Sequence, residues 1–192
     1  MKGQFMNCPY NTYYTQYKYL MKILKFGGTS VGSVKNIQTL VDILKKETAN
    51  GEKPIVVLSA MSGVTNLLTS MAEQAAAGNS FNVELEELQR RHFEVVKALI
   101  DVQHQNPVFT RLKIFFNELD DLLQGISSLK EFTPRALDLL LSYGERCSTV
   151  MISKIAEQYF PESLFVDSAE LIKTDSNFGQ ARVQTELTDT LI

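Results

Sequence analysis

Cysteine and histidine are scarce, with two of each in 192 residues. Cys8 lies in an atypical N-terminal stretch and Cys147 in an expected helix. That spacing fits neither a metal site nor a disulfide framework, so a reducing cytoplasm is the simplest setting. His92 and His104 fall on helical stretches away from every motif and are expected to be exposed. No run approaches the roughly twenty apolar residues of a membrane span, and residues 1–20 lack the apolar core of a secretory signal. The formal net charge is only −3, which gives no footprint for nucleic acid or an anionic membrane. Any anion site must therefore draw on local charge. No internal repeat or low-complexity linker interrupts an ordinary composition, 44% hydrophobic and 21% charged, in a length sufficient for one domain with a real core.

Against that plain background one segment stands out: Lys25-Phe26-Gly27-Gly28-Thr29-Ser30-Val31-Gly32. It follows an apolar run, Met21 to Leu24, that reads as a strand, and it precedes a strongly periodic helix. Two glycines let a backbone approach an anion closely, and a helix N-terminus adds unpaired N–H groups and a positive dipole end. Lys25 supplies a full positive charge where a transferring phosphoryl group gathers negative charge. The common phosphate loop is excluded. Gly27 and Gly32 have its spacing, but Ser33 and Val34 stand where it needs lysine and a hydroxyl. A dinucleotide G-x-G-x-x-G is missing as well. From the glycines and hydroxyls alone, a polyphosphate cradle and a bare strand-to-helix turn with a serine cap remain equally open, and Lys25 taken alone reads more readily as a lysine snorkelling at a strand end.

Along the chain, Ile23 to Phe26 predicts a strand, and Ser33 caps a helix carrying Val34, Ile37, Leu40, Val41 and Leu44. Asn50-Gly51 ends that helix. Ile55-Val56-Val57-Leu58 is a continuous apolar run typical of a central parallel strand, so the order strand, helix, strand predicts a βαβ unit. Ser59 to Val64 then lies at the C-terminal end of the second strand, where open α/β sheets bind ligands. A helix from Thr65 to Ala77-Gly78 follows, then long helices over 83–103, 108–129 and 134–159, the last with Pro134 in its first turn. Leu164-Phe165-Val166 predicts a third strand, Leu171-Ile172 a short segment, and Ala181 to Ile192 the start of a further helix.

Three ordered motifs carry a family resemblance. The Lys25 segment resembles the opening signature of aspartate kinases, within the amino acid kinase family. Val57-Leu58-Ser59-Ala60-Met61-Ser62-Gly63-Val64-Thr65-Asn66-Leu67-Leu68 resembles that family's second strand and substrate loop, and Leu141-Ser142-Tyr143-Gly144-Glu145-Arg146-Cys147-Ser148 its Gly-Glu-x-x-Ser helix. Leu122 to Leu129 resembles the version fused to homoserine dehydrogenase. The resemblance implies an α/β fold, a three-layer αβα sandwich with a mainly parallel central sheet, of which the N-terminal portion is present. Residues 21–192 would form that portion, before the nucleotide-binding half. Residues 1–20, crowded with Tyr10, Tyr13, Tyr14, Tyr17 and Tyr19, are expected to be a disordered upstream extension, and Met21 is a candidate initiator.

What the resemblance implies chemically is phosphorylation of the L-aspartate side-chain carboxylate by ATP with Mg²⁺, the first step towards lysine, threonine and methionine. Lys25 would be the catalytic cation, and Gly27, Gly28, Thr29 and Ser30 would cradle the ATP phosphates beside it. Ser59 and Thr65 would bind aspartate, and Glu145 would hold its ammonium group. Phe178, with Asp175 near it, resembles the family's loop after the third strand and would line the substrate pocket. Ser62 reads as a helix cap and Ser148 as helix packing, while Arg146 and Cys147 take no role. Asp167 and Asp175 could ligate Mg²⁺, but an ion carried by nucleotide phosphates needs no dedicated cage, so no protein metal site is expected. The resemblance also implies a homo-oligomer of the full-length enzyme, with no nucleic-acid or membrane partner. Alternatives are an amino acid kinase acting on carbamate, glutamate or a nucleoside monophosphate, and a non-catalytic fragment that acts through its exposed helices. The isolated chain is expected to be nearly inactive and prone to self-association.

Overall fold

The computed structural model describes residues 22–192, so the expectation for residues 1–20 lies outside the described residues. Two short strands, β1 (Ile23–Phe26) and β2 (Ile55–Leu58), run parallel with Ile23 opposite Ile55 and Lys25 opposite Val57. The 15-residue helix α1 (Val34–Thr48) joins them. Ser33 caps it by accepting the Asn36 N–H at 3.2 Å, and its buried stripe of Ile37, Leu40, Val41 and Leu44 matches the sequence periodicity.

Four helices complete the layer: α2 (Val64–Ala76), α3 (Asn82–Leu99), α4 (Val102–Leu129) and α5 (Pro134–Glu157). α4 is central and packs on α2, α3 and α5. Its Leu112, Phe116, Leu119 and Leu123 are fully buried with Leu68 and Met71 of α2 and Leu140, Met151 and Ile152 of α5. Leu24, Phe26, Val56 and Leu58 of the sheet pack onto this core. Strand alternation turns Ile23, Lys25, Ile55 and Val57 to the opposite face, where all four are exposed. The described residues thus comprise a parallel sheet with one helical layer on it.

Three expectations need correction. Leu164-Phe165-Val166 forms no ladder among the described residues. All three residues are exposed, Leu164 at 90%, and without a partner to take its N–H and C=O groups the run stays irregular. Beyond it come two single turns, α6 (Ser168–Leu171) and α7 (Thr185–Asp189), and one antiparallel bridge between Thr174 and Val183. The break expected at Pro107 lies earlier, at Ile100-Asp101, and Pro107 sits inside α4 near its start. There it forfeits a single i−4 hydrogen bond. The break is held by one amide: Gln158 accepts the Asp101 N–H at 2.9 Å and donates to the Leu99 carbonyl at 2.8 Å.

His92 is fully buried rather than exposed. It lies edge-on to Phe116 with centroids 5.7 Å apart. Its Nδ1 is 2.8 Å from the Leu88 carbonyl, which places the proton on Nδ1, and Nε2 has no partner among the described residues. An imidazole has a hydrophobic body, and one internal helical hydrogen bond suffices to bring it into the core.

Two predictions follow from this packing. Gln158→Ala leaves the helix break with an unpaired N–H and C=O and should cost about 1–3 kcal/mol in urea unfolding; an unchanged midpoint would show the bridge to be idle. Burial holds the His92 imidazole down to about 4 from its ordinary 6.5. Between these values the unfolded chain binds the proton and the folded chain does not, so stability is full above pH 6.5 and falls as pH drops towards 4, by on the order of 3 kcal/mol. His92→Gln should remove that component of the pH profile, and identical slopes in both proteins would refute the assignment.

Candidate active site

Chain order brings both strand ends and two helix segments to one edge of the sheet. After Phe26 the backbone turns tightly: Ser30 N–H donates to the Gly27 carbonyl at 2.9 Å, and Asn36 Nδ2 donates to the Thr29 carbonyl at 2.6 Å. Val31 is fully buried and anchors the loop from within. The N–H groups of Gly28 and Thr29 donate to no group among the described residues. Two backbone donors are thus left open beside the α1 N-terminus, where the helix dipole favours negative charge. Lys25 is exposed on the open sheet face, two residues before the loop, and forms no ion pair among the described residues.

The loop after β2 is tied on both sides. Ser62 N–H donates to the Gly28 carbonyl at 3.0 Å, which joins it to the first loop. A Cβ on Gly28 would lie 3.0 Å from the Ala60 carbonyl, and one on Gly32 only 2.9 Å from Ser62 Cβ. These glycines serve close approach of two backbones. From α3, Arg91 Nη2 donates to the Ser62 carbonyl at 2.6 Å. Gly63 then takes the left-handed conformation, φ 77°, and α2 begins with no side-chain cap. The Ser62 hydroxyl is therefore not the expected cap. Thr65, exposed in the first turn of α2, does not cap it either.

α5 closes the site from the helical layer. A Cβ on Gly144 would stand 2.9 Å from Ala60 Cβ and 3.2 Å from Val64 Cγ1, so the helix touches the loop at this point. Ser148, fully buried, donates its hydroxyl to the Ser59 carbonyl at 2.7 Å, a packing role as expected. Exposed Glu145 accepts the Ala60 N–H at 3.4 Å. Cys147 is buried among apolar groups, which push its thiol up to about 12 and keep it protonated and inert. Arg146 stacks on Phe115 and Tyr143, away from the loop.

The structure thus gathers Gly28, Ser59, Ala60, Ser62 and Glu145 into one contiguous patch, with Thr65 at its helix start. Phe178 lies under Arg135, and the neighbouring Gly179 N–H donates to Asp138 at 2.7 Å. Arg135 precedes Glu145 by about 15 Å of helix, and among the described residues no hydrogen bond joins residues 174–183 to Ser59 or Glu145. Sequence reading missed Arg91. Its signal was available: in the pair Arg90-Arg91, Arg90 has Glu87 and Glu94 at helical spacing and is clamped by both, which leaves Arg91 for another partner.

Glycine-rich turns at parallel strand ends, seated on a helical layer, define an α/β domain. The chain belongs to the amino acid kinase family, whose model matches residues 21–191. Aspartokinase 1, chloroplastic, of Arabidopsis thaliana is 37% identical over 131 residues, 66% of this chain and 22% of that protein. Lysine-sensitive aspartokinase 3 of Escherichia coli is 29% identical over 164 residues, 83% of this chain and 33% of that protein. The fold matches that of E. coli aspartokinase III in complex with aspartate and ADP at a TM-score of 0.76 and 26% identity, over 89% of this chain and 36% of that one. The chain therefore spans between a fifth and a third of the length of these relatives.

Gly144→Ala is expected to push α5 off Ala60. Overpacking of 1–3 kcal/mol against a helix-propensity gain of about 1 gives a net loss on the order of 1 kcal/mol. A more stable variant by thermal unfolding would show that the contact has slack.

Proposed function

We propose that this chain forms the acceptor-binding part of an aspartate kinase, which transfers the γ-phosphoryl group of MgATP to the side-chain carboxylate of L-aspartate. The observation that carries this reading is the contact of Glu145 with the Ala60 N–H beside Ser59, joined through Ser62 to the Gly28 turn. An acceptor patch and an anion cradle meet there. The E. coli enzyme of the same fold is described in complex with aspartate and ADP, the acceptor and the spent donor.

In this reading an oxygen of the aspartate side chain attacks the γ-phosphorus, and the bond to the leaving ADP oxygen breaks. A carboxylate is already ionised at neutral pH, so no general base is required. The work is positioning and charge neutralisation. Glu145 holds the ammonium group, while Ser59, Thr65 and the uncapped α2 N-terminus donate to the carboxylates. Gly27, Gly28, Thr29 and Ser30 offer donors to the phosphates, and Lys25 neutralises charge on the group in flight. Mg²⁺ arrives with the nucleotide. Among the described residues no helix is long and apolar enough to cross a membrane; we place the enzyme in the cytoplasm, as a homo-oligomer in its full-length form.

A second reading, an interaction module, draws on the exposed Ile23, Ile55 and Val57 of the open sheet face. Isothermal titration separates the two. Aspartate should bind, and Glu145→Gln should weaken it by roughly tenfold to a hundredfold, the loss of one charge-assisted hydrogen bond. Lys25→Met should leave aspartate affinity unchanged and lower phosphoryl transfer in the full-length enzyme. No aspartate heat from a folded sample would overturn the acceptor assignment and favour the interaction module.

A further inference from the structure

We propose that Arg91 is a positioning residue that locks the Ser62-Gly63 peptide so that its N–H, rather than its carbonyl, faces the acceptor; this rests on the acceptor reading above. The peptide is a flat trans unit, so its N–H and C=O point to opposite sides. Arg91 Nη2 holds the Ser62 carbonyl towards α3 at 2.6 Å. The Gly63 N–H is thereby directed away from α3, and it donates to no group among the described residues. Gly63 at φ 77° occupies a region open to glycine on either side of zero, so nothing in its own conformational preference prevents this peptide from flipping. A flip would replace an open donor at the α2 N-terminus with a carbonyl oxygen, which repels a carboxylate. The guanidinium prevents that exchange.

The mounting of Arg91 suits the task. Its neighbour His92 is sealed in the core against Phe116, so the α3 backbone at this point is fixed. A Cβ on Gly63 would lie 3.9 Å from Arg91 Nη1, so the guanidinium also lies along the turn it restrains. Ser62 is then held from two directions, its N–H by Gly28 and its carbonyl by Arg91. One residue links the glycine turn to the helical layer.

Arg90 provides the control. It carries the same charge on the same helix but is bound to Glu87 and Glu94 and does not touch the loop. The experiment compares Arg91→Ala with Arg90→Ala by the residual dipolar coupling of the Gly63 N–H, which reports the orientation of the Ser62-Gly63 peptide, and by titration with L-aspartate. Arg91→Ala should change that coupling and weaken aspartate about tenfold, while Arg90→Ala changes neither. Arg91→Lys, which keeps charge without the planar fork, should recover only part of the affinity. Equal losses in both alanine variants would reduce the effect to net charge, and an unchanged Gly63 coupling in Arg91→Ala would remove the positioning role. Should the unaltered chain bind no aspartate, the acceptor reading fails, and the Gly63 coupling still decides whether Arg91 holds the peptide.

Discussion

Everything at this sheet edge depends on how closely α5 approaches the end of β2. Gly144 permits it, because its missing side chain is all that separates the helix from Ala60 and Val64. Gly144 and Ser148 are four residues apart and share a helical face, so the contact and the Ser148 bond to the Ser59 carbonyl form together. Glu145, one residue on, lies at the margin of that face and reaches the Ala60 N–H. Packing, a buried hydrogen bond and an exposed carboxylate are thus set by one stretch of helix. Moving α5 outward by the width of a methyl group would disturb all three together.

The fixed loop then transmits its position. Ala60 and Met61 are buried, so the chain between Ser59 and Gly63 cannot drift, and Ser62 is delivered to the Gly28 carbonyl. The glycine turn is consequently held by a loop that is itself held by the helical layer. Its internal bonds alone, from Ser30 to Gly27 and from Asn36 to Thr29, would shape the turn without placing it. Local sequence makes the turn; tertiary contact locates it.

That division explains what could be read from the sequence. The two strands, the capped α1 and the long amphipathic helices were legible because periodicity and turn chemistry are local signals. The glycine turn and the Gly144 helix were legible as motifs. The pairing of Arg91 with a carbonyl 29 residues away was not, since backbone acceptors carry no sequence label. His92 was misjudged because one polar atom counted for more than a ring that packs on Phe116. Leu164 to Val166 was apolar enough for a strand, but a strand also needs a partner edge, which composition cannot report. At Pro107 the rule that proline ends a helix gave way to a break six residues earlier, where the Gln158 amide satisfies both loose ends.

The two faces of the sheet assign different surroundings to the two sides of the proposed reaction. Ser59 and Glu145 meet where α5 packs on the β2 end: the Ser59 carbonyl accepts the hydroxyl of buried Ser148, and Glu145 accepts the Ala60 N–H. Lys25 belongs to the opposite face with Ile23, Ile55 and Val57, and no described residue restrains its ammonium group. A lysine on a flexible four-carbon stem gains little precision from its own backbone. Its precision must come from what it binds, and an anion seated on the open N–H groups of Gly28 and Thr29 would supply that restraint. In the proposed reaction the acceptor groups would therefore be organised before any ligand arrives, whereas the phosphoryl-side charge would become organised by the phosphate itself. A chain of net charge −3 can operate such a site, because most of its positive potential comes from backbone amides and helix ends and only one lysine is required.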